Sequence, residues 1–263
     1  RLTATGASVV TVQLLTEEVP EDASLVVVAG PKTPFRPEEA ARLKAYTDRR
    51  KPLLLLLGET AGTGLESILR GLDVEVGKGF IVEPTNNYRG RPDTLLVGVS
   101  GQRHPILESL NGQVLFFVRA APLKVVSAAQ PGAPGSPVVA TPLLRSSPQS
   151  WVETDLTASR VQRDPNDEGG PVIIGLVVND RPKPGETELD TPRLVVYSSR
   201  NLADNAFVAD SAFAPANLDL LMNSVSWLRG TPENMGISPK THVSLTLTAD
   251  PVVRARLILV PTV

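Results

Sequence analysis

Short unbroken apolar runs alternate with stretches of helical period through the first third of the chain. SLVVVAG, Ser24 to Gly30, is a β-branched run bounded by turn residues, the pattern of a strand buried on both faces. Pro37 then opens a helix, with Glu38 and Glu39 in its first turn and Ala40, Leu43 and Tyr46 on one face. It ends at the basic cluster Arg49, Arg50, Lys51. Leu53 to Leu57 is a second buried run, and a helix is expected from about Leu65 to Leu69. Val9 to Leu15 alternates loosely and predicts a further strand. Strand, helix, strand, helix implies a parallel sheet with helices on its faces.

Beyond Gly71 the rhythm loosens. DVEV before Gly77, TLLVGV (94–99) and VLFFV (114–118) predict strands, with a helical turn from His104 to Leu110 between the last two. PVIIGLVVN (171–179) and RLVVYSS (193–199) have buried-strand character, and HVSLTLT (242–248) alternates like a half-exposed strand. Leu218, Leu221, Val225 and Leu228 repeat at helical spacing over Asn217 to Arg229, with Gly230 placed as a C-terminal cap. Residues 127–150 are rich in Ala, Pro, Gly and Ser and predict a long irregular surface excursion. The expected architecture is one α/β domain over 1–263, a mostly parallel open sheet with helices on both faces and a peripheral β-rich excursion.

Composition narrows the function. The net charge of the 263 residues is -2, with both signs mixed along the chain, so no field of one sign attracts nucleic acid or an anionic membrane. The absence of cysteine removes disulfides, thiol nucleophiles and thiolate metal sites. The longest apolar run, Leu53 to Leu57, falls far short of the roughly 20 residues of a spanning helix. The chain starts at Arg1 and stops in ARLILVPTV as an apolar stretch begins, which leads us to expect a piece of something longer, with 249–263 running toward a membrane helix.

The glycines of PLLLLLGETAGTGLESIL (52–69) pose a question, because phosphate loops are built from a strand, a glycine-rich turn and a helix. A P-loop needs G-x-x-x-x-G-K-[ST], and here Gly79 follows Gly77-Lys78 where Ser or Thr belongs. The dinucleotide fingerprint fails too, since Gly62-Thr63-Gly64 is followed by Ser67 at the third glycine's place. A plain strand-to-helix connection is the better reading. No G-x-S-x-G elbow exists. His104, before Pro105, reads as the cap of a helical turn, and His242 as solvated. The acidic loop RDPNDEGG (163–170) lacks the ligand order of a calcium loop and reads as a solvated turn. No catalytic residue, metal site or cofactor is therefore assigned.

SSRNLADN (198–205) follows a buried strand and so belongs at the carboxyl edge of the sheet, with Thr60 at the same edge. Ligands of open α/β sheets bind there. Thr60, Ser199, Asn201, Asp204 and Asn205 are the candidate ligand-binding residues, suited to hydrogen bonds with a sugar or peptide. The plainer alternative is an Asx-type turn with a helix cap.

Three blocks in order resemble the GldG-like, gliding-motility-type ABC-transporter auxiliary family. They are VPEDASLVVVAGPKTPFRPEEAARLKAYTDRRKPLLLLLGE; GLDVEVGKGFIVEP with HPI at 104–106; and RLVVYSSRNLADNAFV, NLDLLMNSVSWLRG and ISPK at 237–240. The resemblance implies a flavodoxin-like fold of the kind shared by class I glutamine amidotransferases and an intraflagellar-transport protein domain. It also implies a membrane-anchored protein whose large domain lies on the extracytoplasmic, periplasmic side. That domain would be non-catalytic, and its partners the ABC permease and ATP-binding subunits. The family commonly carries an acidic GDSDF-like stretch where this chain reads YSSRNL (197–202), with Ser199 and Asn201 among the replacements. Two other functions compete: a carbohydrate- or peptide-binding module using the Ser199 edge, and a hydrolase using carboxylates such as Asp204.

Overall fold

In the computed structural model, β1 (Val26–Ala29), α1 (Pro37–Asp48) and β2 (Leu53–Leu56) form the strand–helix–strand unit expected from the sequence, with β1 and β2 parallel. The structure describes residues 8–59, 62–101, 103–126, 136–155, 161–181, 191–204 and 214–230. α1 begins as its sequence dictates: Pro37 gives up no needed N–H, and Glu39 accepts from the Arg36 backbone N–H at 2.8 Å. After α2 (Glu66–Gly71) come β3 (Val74–Val76), β4 (Phe80–Val82), β5 (Asn87–Tyr88) and β6 (Arg91–Gly98). α3 (Pro105–Glu108), β7 (Val114–Val118), β8 (Leu123–Val125), β9 (Val138–Arg145) and β10 (Trp151–Glu153) follow. β11 (Ile173–Asp180), β12 (Pro192–Tyr197), a 3₁₀ turn (Arg200–Ala203) and α4 (Ala214–Leu228) complete the series.

The main sheet has seven strands in the order β1-β2-β12-β11-β8-β3, with β9 also on β11. Only β1, β2 and β12 run parallel; β11, β8, β9 and β3 join by antiparallel pairing. This corrects the expectation of a mostly parallel sheet. The fold is mixed α/β with a partly parallel sheet. Buried strands of both kinds read as continuous apolar runs, so hydropathy does not reveal direction. β5, β6 and β7 form a separate antiparallel sheet, and β4 pairs with β10.

Alternate side chains of the parallel strands feed two cores. Leu54, Leu56, Val195 and Tyr197 face one cluster, completed by α3, α4 and the β6–β7 pair. Leu53, Leu55, Leu194 and Val196 face the other, with Leu43 and Tyr46 of α1 and Ile68 and Leu69 of α2. Each fully buried leucine contributes about 1.5–3 kcal/mol, which makes LLLLL the best-determined segment of the fold.

Two further expectations change. Val9 to Leu15 forms no strand; Val9 and Val10 are exposed, and the chain turns at Gln13, whose carbonyl accepts from Thr16 and Glu17. A strand needs a neighbour, and this segment lies instead along α1, where Arg42 holds the Leu14 carbonyl and Glu18. Within the expected irregular excursion, 138–145 is β9, ladder-bonded to β11 along its length. Its threonine and its one proline obscure the period, and Pro142 is tolerated because no further strand among the described residues pairs beyond β9. Residues 127–135, and HVSLTLT at 242–248, lie outside the described residues.

Candidate functional site

The carboxyl ends of β1, β2 and β12 meet at Gly30, Gly58 and Ser199. Across them lies the 3₁₀ turn 200–203. Gly30 has φ 63°, and a Cβ built there would stand 2.7 Å from the Arg200 Cβ. One at Gly58 would meet the Arg200 Cγ at 3.2 Å. The crevice at this edge is therefore occupied by Arg200 of the chain itself, and glycine is required where the turn presses on the sheet.

Ser199 is fully buried. Its hydroxyl donates to the Val118 carbonyl at 2.9 Å and accepts from the Val118 N–H at 3.3 Å. Two residues along β7, the Asn217 side chain treats Phe116 the same way, accepting from its N–H at 3.0 Å and donating to its carbonyl at 2.8 Å. Together they complete the ladder along the free edge of β7. Asn201 is partly buried, and its carbonyl accepts from the Asp204 N–H at 3.1 Å; Asp204 is exposed. Thr60 and Asn205 lie outside the described residues. The structure thus places Ser199, Asn201 and Asp204 on one short turn, with the Ser199 hydroxyl engaged by β7.

Sequence reasoning missed the charged group beside this turn. Arg119, at the end of β7, bonds to Glu59 after β2, lies 3.9 Å from Asp93 of β6, and stacks its guanidinium 4.2 Å above the Phe80 ring. Its φ of 45° is left-handed, an uncommon conformation for arginine. The hydrogen bond Arg119 donates to Glu59, with the charges of Glu59 and Asp93, outweighs partial burial and raises the Arg119 pKa above its usual value. The two acids already hold a cation, so the group is not arranged to move protons.

The glycine-rich loop holds an anion of its own. The Glu66 carboxylate accepts from the Thr63 N–H at 2.7 Å, the Gly64 N–H at 3.2 Å and the Thr63 hydroxyl at 3.0 Å. The Thr63 hydroxyl accepts in turn from the Leu65 N–H at 2.9 Å. Partial burial pushes the Glu66 pKa up, but the hydrogen bonds from its own backbone, Thr63 and Gly64 outweigh this and leave it lowered. The amides a phosphate would use are taken. Thr63-x-x-Glu66 is a capping-box spacing, the signal that identifies this arrangement in sequence. Buried Glu83 is similarly filled, by the Thr85, Asn86 and Ser147 N–H groups and the Thr85 and Ser147 hydroxyls.

His104 caps α3, as expected: Nδ1 accepts from the Ile106 N–H at 3.3 Å, and the ring packs edge-on to Trp227. Burial lowers its pKa to about 4. The acidic loop is a turn in which Asp167 accepts from the Asp164 N–H, while Glu168 pairs with Lys124. Among the described residues no group of three acids or histidines could hold a metal ion, and no helix is long and apolar enough to cross a membrane.

Comparison with known proteins matches residues 4–224 to the family described as "ABC-type uncharacterized transport system" (ABC_transp_aux). Among solved structures, the mmIFT52 N-terminal domain is similar at 16% identity and TM-score 0.51, covering 85% of this chain and 81% of that one. That likeness concerns the fold alone. A ThuA-like protein from Bacteroides uniformis ATCC 8492 aligns at 15% identity and TM-score 0.41, over 79% of this chain and 70% of the other. No curated protein matches.

Proposed function

Because the chain belongs to the family described as ABC-type uncharacterized transport system, we propose that it is the non-catalytic, extracytoplasmic domain of a membrane-anchored auxiliary subunit. It binds the permease or ATP-binding subunits of its system, or a polar ligand, while the ATPase supplies the energy. The family match over 4–224 is the observation that carries this reading. The spent state of the polar groups supports it: Glu66 fills its own loop, Glu59 and Asp93 hold Arg119, and His104 caps α3. In this reading a polar ligand meets the exposed side of the 3₁₀ turn, where Asn201 and Asp204 stand, while the buried Ser199 hydroxyl stays on β7; Thr60 and Asn205 remain sequence-based candidates for the same edge.

The test is co-purification of the full-length protein with its ABC subunits from detergent-solubilised membranes, with protease accessibility from the outer side reporting topology. Association, together with outside cleavage, is expected. Absence of any association, or protection of the domain from outside protease, overturns the assignment. For the polar ligand, Asn201→Ala is expected to weaken binding on a glycan and peptide array; an array with no binder removes that part.

A further inference from the structure

At the opposite end of the strands from Ser199, the C-terminal turn of α1, the outer face of α2 and the starts of β9 and β12 enclose a cleft of about 510 Å³, a volume suited to a metabolite-sized ligand. Its charged lining is Lys44, Asp48, Arg50, Asp180, Arg181 and Arg193, four cations against two acids. The whole chain, by contrast, carries -2, so the cleft is a local reversal of sign. Lys44 and Asp48 neutralise one another at 2.7 Å. Asp180, buried, is then shared by two guanidinia: Arg193 Nη1 lies 2.7 Å from Oδ1 and Arg50 Nη2 2.7 Å from Oδ2. Arg181 adds a third, with its Nε donating to the Ser136 carbonyl at 2.7 Å.

Two further observations concern the arginines of this cleft. Buried Arg193 donates to Asp180 and to the Thr47 carbonyl, and among the described residues its Nε–H has no acceptor. Arg50 stands at φ 60°, a left-handed position after a helix where glycine is the relaxed choice. Its guanidinium reaches Asp180 from there while more than half of the side chain stays exposed at the rim.

We propose that this cleft binds a small polyanion carrying at least two carboxylate or phosphate groups. Arg50 and Arg181 supply the excess positive charge from the rim, and the Arg193–Asp180 ion pair forms a fixed, neutral floor. Guanidinia suit either oxyanion, since both present paired oxygens to the planar donor fork. Gly71 also lines the cleft, and a side chain there would enter open space.

Citrate and inorganic pyrophosphate separate the two chemistries. Isothermal titration at fixed ionic strength, with thermal melts against chloride, is expected to show saturable binding of at least one of them. Arg50→Gly should weaken binding about tenfold with little change of the melting temperature in chloride, because the relaxed left-handed backbone offsets the lost contact with Asp180, which keeps Arg193. Gly71→Phe should abolish binding with every charge retained. Binding of citrate alone assigns the carboxylate class and of pyrophosphate alone the phosphate class. No saturable binding of either anion, or binding unchanged in both variants, overturns the proposal. This test involves no transport subunit, so its result stands apart from that of the auxiliary-subunit reading.

Discussion

Glu66 and His104 both make the fold acid-sensitive, in different windows. The folded pKa of Glu66 is lowered, so its contribution is present above the unfolded glutamate range and disappears as pH falls through the folded value. Glu66→Gln is expected to cost about 1 kcal/mol at pH 7, the scale of a lost cap, and less at pH 3 than at pH 7. Comparing urea midpoints at the two pH values measures the difference. The His104 case concerns the neutral ring. The unfolded histidine gains a proton below its ordinary value of 6.5, and the folded one only near 4. Acidification between those values therefore destabilises the native state. His104→Gln should flatten the stability–pH curve within that window, and an unchanged slope would contradict the buried-cap account.

At the scale of elements, β7 depends on side chains from elsewhere. Asn217→Ala leaves the Phe116 N–H and carbonyl without partners in a buried setting, with an expected cost of about 2–3 kcal/mol. Ser199→Ala strips Val118 in the same way, at about 1–2 kcal/mol. Chemical denaturation of both variants checks the magnitudes; a neutral Asn217→Ala would mean that the edge is satisfied otherwise. Sequence could not show this role for Ser199, because a hydroxyl after a strand looks alike whether it faces a ligand or a neighbouring backbone. The elements legible from sequence were those with their own signals. Pro37 with its two glutamates marks α1, the leucine run marks β2, and Gly230, at φ 66°, marks the end of α4. β4 and β10, three residues each, carry no period, and β9 hides behind Pro142. Strand direction was equally hidden, since Leu176 in antiparallel β11 and Leu55 in parallel β2 are buried alike.

For the whole molecule, Asp180 joins α1, β11 and β12 at one end of the main sheet. Asp180→Asn leaves the buried Arg193 guanidinium without its counter-charge, and a loss of about 3–5 kcal/mol is expected from breaking one side of a buried pair. A thermal melt with the wild-type midpoint would show that the pair is dispensable. The candidate site stayed partly unread in the sequence because Glu59, Asp93 and Arg119 are brought together only by packing the β6–β7 sheet on the β2 edge.

The groups that finish β7 come from 81 and 101 residues downstream. During synthesis, the β5–β6–β7 sheet emerges long before either arrives, with a bare row of amides and carbonyls able to recruit a neighbouring nascent chain. Products truncated before Asn217 should therefore collect in the insoluble fraction while products ending at Gly230 remain dispersed, which makes α4 a guard against self-association as well as a piece of the core.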